Sequence, residues 1–254
     1  MPAPNGLQPT TALAERVLLP GDPGRALMLA EALLDSAKMF NHNRGLWGYT
    51  GLAPDGESLT IQSTGIGGPS AAIVVQELID MGARRLLRVG TCGALQEGLA
   101  LGDLVIVTEA IVADGTSRAL GARERVPASR DLLDAVIATA NPPFSDHGHA
   151  LPDHGRAVHA VHAGAIVTTD LFYDERELEP SWREAGALAV EMEAATLFAV
   201  ARTRGVQAAA LLVVSDILLP ERTRIDQEEL RGAERRMGEA ALRALTAQGA
   251  VARP

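Results

Sequence analysis

The sequence predicts a single α/β domain with a mixed central β-sheet flanked by helices. Three observations predict it. From Glu15 onward, short β-like runs alternate with segments of helical apolar spacing. The β-like runs repeatedly end in polar or charged residues, as strands do where an α/β sheet meets its ligand. Finally, 254 residues at 47% apolar content can bury one large core, and no linker is long enough to divide the chain. Residues 1–254 therefore form one domain, with 1–14 as an N-terminal arm.

In order, ERVLLP (15–20) reads as a strand, and PGRALMLAEALLD (23–35) as a helix opened by proline at its first turn. LWGYTGL (46–52) and SLTIQST (58–64) form a hairpin around the turn residues PDG. GIGGPSAAIVVQELIDMGA is a glycine-rich turn feeding a helix that ends at Gly82, and RRLLRVG (84–90) is the strand after it. DLVIVTEAIVAD (103–114), AIVTTD, ALAVEME and AAALLVVSD continue the sheet, and Gln227 to Gln248 is a terminal helix. NPPFSDHGHALPDHGR (141–156) is an irregular insertion rich in Pro, His and Gly.

Composition excludes several classes. The net charge of −9 argues against general nucleic-acid or acidic-membrane binding, which needs a concentrated basic surface. The longest uninterrupted apolar run, Ala208 to Val214, is far shorter than the roughly 20 residues of a membrane span. No basic patch precedes an apolar block at the N-terminus, so no signal peptide is expected. A single Cys92 forbids an intrachain disulfide and suits a reducing cytoplasm. Lys38 is the only lysine, so an anion site here uses planar guanidinium groups, and Schiff-base chemistry is disfavoured.

The strand ends carry the chemistry. LPGDPGR places Gly21 and Arg25 at a helix N-terminus that favours anions; RVGTCGA adds Arg88 and Thr91 beside glycine amides, a good phosphate set. TGIGGPS lacks the full GxGxxG dinucleotide fingerprint. TTDLFY offers an aromatic, VVSD a Ser215–Asp216 pair, and VEME two carboxylates, Glu191 and Glu193. Their i, i+2 spacing puts both on one face of a strand, either at a solvated strand end or buried against donors, a metal or a polyol. Together these ends suit a ligand with an anion, a polyol and a flat ring. Cys92 has small apolar neighbours and reads as a packing thiol. Five of the six histidines lie between His147 and His162 among Asp, Pro and Gly; a solvated loop is expected there, and no metal site.

In the order ERVLLPGDPGR, NRGLWGYTG, GIGGPSAAIVVQEL, LLRVGTCGA, DLFY, VEMEAA and VVSD, the chain resembles the hexameric bacterial purine nucleoside phosphorylases, within the wider nucleoside and uridine phosphorylase family. The resemblance runs from about Glu15 to Gln248. It implies a nucleoside phosphorylase-like mixed-sheet fold and a homohexamer, a trimer of dimers whose neighbours complete each site. Purine nucleoside and inorganic phosphate are the implied partners, with no further cofactor. Gly21, Arg25, Arg88 and Thr91 would bind phosphate, with Arg44 supplied by the adjacent subunit. Glu193 would accept hydrogen bonds from the ribose 2′ and 3′ hydroxyls, Met192 would pack on the sugar, and Glu191 would shape that pocket. Phe172 would lie against the base, with Ser215 and Asp216 beside it.

The implied reaction is attack of phosphate on C1′ while Asp216 protonates or hydrogen-bonds N7 of the departing purine. For an acid near neutral pH, Asp216 would have to rise from about 3.9 to near 7, a bias of roughly 4 kcal/mol, and an apolar pocket beside VV and ILL is the expected source. Two departures from the family pattern stand out. Asn5 occupies the place of a histidine that reaches a neighbour's 5′ hydroxyl, which leaves 5′-methylthioadenosine open as a substrate. No arginine aligns simply with the one that assists the acid, so Arg222, Arg224 and Arg231 are candidates. Uridine phosphorylase, a water-using nucleosidase and a non-catalytic nucleoside-binding protein are the alternatives. The arginine set disfavours the nucleosidase, and the SD pair favours purines, adenosine included.

Overall fold

The computed structural model describes residues 6–140, 159–173 and 178–246. Asn5 and the irregular insertion expected at 141–156 lie outside these residues. The first expected strand is β1 (Arg16–Leu19), followed by α1 (Pro23–Leu33), β2 (Asp35–Asn41), a 3-10 turn (Asn43–Gly45), and the hairpin β3 (Gly48–Leu52) and β4 (Ser58–Gln62). Then come α2 (Gly68–Asp80), β5 (Arg85–Ala94), β6 (Leu104–Ala113), α3 (Gly115–Ala119), β7 (Arg125–Pro127) and α4 (Arg130–Ala140). The remainder is β8 (Val161–Thr169), α5 (Glu179–Glu184), β9 (Ala189–Glu191), α6 (Ala194–Arg204), β10 (Gln207–Ile217), β11 (Thr223–Arg224) and α7 (Gln227–Thr246).

The sheet is mixed, as expected, but it also closes on itself. β10 pairs with both β5 and β6, β6 with β8, β8 with β9, and β9 with β5, so five strands form a ring. From β5 the sheet runs outward through β1, β4, β3 and β2. The β5–β10 pair is the spine: Leu86, Leu87, Val89, Ala209, Leu211, Leu212 and Val213 are all fully buried. Helix α7 packs against β5, β10 and α1, while α2 packs on α6. No helix among the described residues is long and apolar enough to cross a membrane.

Ring closure gathers several strand ends at one mouth. There the β5–β10 register shifts between Val214 and Asp216, so Ser215 is an extra residue opposite the β5 strand. Such a bulge re-aims the side chains around it. On the other side of the mouth, α1 starts with Asp22 as N-cap, its carboxylate accepting the Arg25 amide at 2.7 Å, and Pro23 fills the first turn. That cap fixes the first turn of α1, from which Arg25 projects.

One expected element is corrected. ALAVEME is not a strand throughout: β9 stops at Glu191, and Glu193 is the N-cap residue of α6. The two carboxylates therefore do not share a strand face. They are not solvated either, at 4% and 6% exposure. Helix α6 was hidden in the sequence because Ala194 to Ala201 are buried on every side, which erases the amphipathic period that announces a surface helix.

Replacing the cap, Asp22→Ala, is expected to lower the unfolding free energy by about 1 kcal/mol in a denaturant titration. A loss below roughly 0.3 kcal/mol would show that tertiary packing alone holds the start of α1.

Candidate active site

A cavity of about 560 Å³ opens at the mouth of the ring. Every residue implied for phosphate, ribose or base binding or as the catalytic acid lines it. Gly21 and Arg25 come from the β1–α1 turn, Arg88 and Thr91 from β5, and Glu191, Met192 and Glu193 from the β9–α6 junction. Phe172 follows β8, and Ser215 with Asp216 form the β10 bulge. Arg44 also lines the cavity of its own chain, from a left-handed position (φ 57°) in the 3-10 turn.

Arg88 lies at the centre. Its Nε donates to Glu191 Oε2 at 2.9 Å, its Nη2 pairs with Glu193 Oε2 at 2.5 Å, and its Nη1 is buried with no hydrogen-bond partner. A buried guanidinium end without a partner is costly unless a ligand completes it. The unpartnered Nη1 faces the Gly21 turn, 3.9 Å from where a Cβ would stand. Gly90 is required beneath it, since a Cβ there would meet Arg88 Nη2 at 2.7 Å. Burial alone would lower the Arg88 pKa, but Glu193 and Glu191 outweigh it and hold the group above its ordinary value.

The two glutamates have different tasks. Glu191 is saturated: its oxygens accept from Arg88 Nε, from Thr168 Oγ1 at 2.5 Å, and from the amides of Glu193 and Ala194 at 2.8 to 3.0 Å. It caps α6 and orients Arg88. Glu193 has fewer bonds, accepting from the Gly67 amide at 2.5 Å and from Arg88. Burial pushes its carboxyl above the usual range, with Arg88 opposing and Glu191 adding to the rise. A carboxylate with spare acceptor capacity, facing a cavity, suits a pair of hydroxyl donors.

Arg25 also has a carboxylate partner. Its Nε and Nη2 both reach Glu234 Oε1 at 2.7 Å, and both side chains are about nine-tenths buried. Nothing in the sequence reading singled out Glu234. Its signal was an acid on the apolar face of α7, flanked by the buried Ala233 and Met237.

The surroundings of Asp216 differ from expectation. In place of an apolar pocket, Asp216 Oδ1 accepts from Arg222 Nε at 3.0 Å and Nη2 at 2.9 Å, with Arg224 Nε at 3.4 Å, and Oδ2 accepts from Ser215 Oγ at 2.8 Å. The antiparallel β10–β11 pair sets Arg224 opposite Asp216. Arg222 also stands 4.9 Å over the Phe172 ring, a cation–π contact that ties the aromatic to the acid. Arg231 lies elsewhere, in a groove with Met28, Glu31 and Arg235.

Burial is the main cause that pushes the Cys92 thiol far up, so it is a packing group at neutral pH, in agreement with the sequence. His147, His149 and His154 lie outside the described residues, while His162 Nε2 bonds to Asp103 Oδ2 at 2.9 Å.

An α/β ring with arginines, carboxylates and an aromatic converging at its mouth has the groups to suit an anion beside a polyol and a flat ring. The model of the Phosphorylase superfamily matches residues 15–247, and the chain belongs to that superfamily. It is 37% identical over 244 residues to a DeoD-type purine nucleoside phosphorylase of Geobacillus kaustophilus, covering 95% of this chain and 97% of the relative. It is 41% identical over 208 residues to a guanosine phosphorylase of Halorubrum lacusprofundi, covering 81% and 79%. A crystal structure of uridine phosphorylase from Vibrio fischeri superposes with a TM-score of 0.77 at 30% identity, over 93% of each chain.

Because burial raises the Glu193 pKa, its ionisation works against folding. That contribution to stability is whole below the ordinary carboxylate range and is lost as pH rises through the elevated value. Glu193→Gln, which cannot ionise, is therefore expected to gain thermal stability relative to wild type as pH rises from about 4 to about 8, on top of a pH-independent loss from the broken Arg88 pair, while kcat/KM for nucleoside falls by roughly 10²-fold. Thermal unfolding across that range checks the sign; a variant that loses stability relative to wild type as pH rises would contradict it.

Proposed function

We propose that the protein catalyses the reversible phosphorolysis of purine ribonucleosides and 2′-deoxyribonucleosides, giving free base and (deoxy)ribose 1-phosphate. The observation that carries this reading is the unpartnered Nη1 of Arg88, a buried cationic donor next to the carboxylate that would hold the sugar. Inorganic phosphate is the co-substrate and no other cofactor is needed. Phosphate sits against Arg25, Arg88, Thr91 and the Gly21 turn, and Glu193 accepts from the 2′ and 3′ hydroxyls with Met192 against the sugar. The base lies by Phe172, Ser215 and Asp216.

As the glycosidic bond lengthens, positive charge develops at C1′ and the ring oxygen. Phosphate and Glu193 are the negative groups nearest to it, so they stabilise the transition state more than the substrate. Electrons flow into the purine, and N7 takes a proton from Asp216. The Asp216 carboxylate left behind is caught by Arg222 and Arg224, whose donors already converge on Oδ1. Both guanidinium groups pair with this carboxylate before the step as well, so the proton that passes to N7 has to be taken up at Asp216 as the purine binds against it. The reading extends to a homohexamer in which Arg44 completes a neighbour's site, in addition to the place it takes at the rim of its own cavity.

Base release from adenosine, inosine, guanosine, uridine and methylthioadenosine, each with and without phosphate, tests the proposal. Purine release that requires phosphate is expected; release in its absence would make the enzyme a nucleosidase and overturn the anion site. Asp216→Ala is expected to slow natural purine nucleosides by about 10²- to 10³-fold, and 7-methylguanosine, whose base leaves without protonation, by less than about tenfold. Equal losses on both substrates would remove Asp216 as the proton donor.

A further inference from the structure

Glu234 has no part in the chemistry above, yet it is among the few carboxylates buried within the described residues. It is carried by α7, which contributes no residue to the cavity lining and reaches the cavity only through Arg25. Its Oε1 takes the Nε and Nη2 donors of Arg25 together, each at 2.7 Å, while Arg25 Nη1 keeps only a long 3.4 Å bond to the Val89 carbonyl. One edge of the guanidinium plane is thereby fixed against α7, and the plane can no longer rotate freely at the cavity wall. A freely rotating arginine is a poor anion receptor, because the ligand must order it on binding.

The approach of α7 is itself arranged for this contact. Gly238 lies one turn beyond Glu234 on the same helix face, and a Cβ there would stand 2.3 Å from Leu29 Cδ2 of α1. Without that side chain, α7 settles directly on α1, the helix that begins with the Arg25 turn. Glu234 also neutralises the charge of Arg25, which weakens its raw attraction for an anion. Holding a carboxylate there makes sense only if geometry outweighs charge.

We propose that Glu234 is a positioning residue for the anion site: it holds Arg25 in its ligand-receiving orientation, so that the placement of α7 sets the affinity for phosphate. This rests on the reading of Arg25 as a phosphate ligand. Three substitutions separate geometry from charge. Glu234→Gln keeps the reach and an acceptor oxygen but removes the charge, Glu234→Asp keeps the charge but shortens the reach by one methylene, and Glu234→Ala removes both.

Steady-state kinetics with phosphate and nucleoside varied independently provide the test, alongside Arg25→Ala alone and combined with each Glu234 variant. The phosphate KM is expected to rise about tenfold in the Ala and Asp variants and to stay within about threefold of wild type in the Gln variant. The nucleoside KM should change by less than about twofold, and Glu234 substitutions should add nothing once Arg25 is alanine. Should the Ala variant fail to fold, the Gln and Asp pair carries the same contrast. Asp behaving as wild type while Gln raises the phosphate KM would overturn positioning in favour of charge. Both KM values rising together, or effects that add to Arg25→Ala, would reduce Glu234 to a structural role. An Arg25→Ala enzyme with normal phosphate KM would bring down the anion-site reading itself, whereas a raised KM there with inert Glu234 variants would bring down this inference alone.

Discussion

Everything at the mouth of this fold depends on one buried arginine. Arg88 is 5% exposed, and the desolvation of such a charge costs several kcal/mol unless it is met on every side. Glu191 and Glu193 meet two of its three nitrogens, which forces the β9–α6 junction to lie against β5 and so helps to hold the ring closed. The third nitrogen is left for a ligand. On the proposed reading, a structural ion pair and an anion receptor are the same side chain, and the carboxylate that would hold the sugar cannot be placed without also placing the phosphate donor.

The same economy recurs around the cavity. Arg25 is set by Glu234, and Asp216 by Arg222 and Arg224. Paired in this way, the groups have little freedom left to lose, so charge developing in a transition state meets dipoles that need not reorganise. The net charge of −9 is no obstacle to binding an anion, because the arginines that matter are local and oriented.

Much of this was legible in the sequence. The strand ends LPGDPGR, RVGTCG, VEME and VVSD announced their residues because an α/β sheet presents ligands groups from those ends, and all of them line one cavity. What stayed hidden was non-local. The closure of β5, β10, β6, β8 and β9 into a ring joins segments more than a hundred residues apart, which no local period encodes. Helix α6 has no element assigned to it in the sequence because its buried residues lie on all of its faces. Arg222 was only one of three candidates for Asp216, since the β10–β11 turn that delivers it carries no strong signal. Glu234 was overlooked as one acid among many in a charged amphipathic helix, where only its position on the apolar face set it apart.

The most direct test is the kinetic consequence of Arg88→Lys, which preserves the buried charge but replaces a planar three-nitrogen fork with a single ammonium. If one guanidinium serves phosphate and sugar together, the KM values for phosphate and for nucleoside should both rise, each by about tenfold or more. A rise confined to phosphate, with the nucleoside KM intact, would contradict the shared role and leave Glu193 to act on its own.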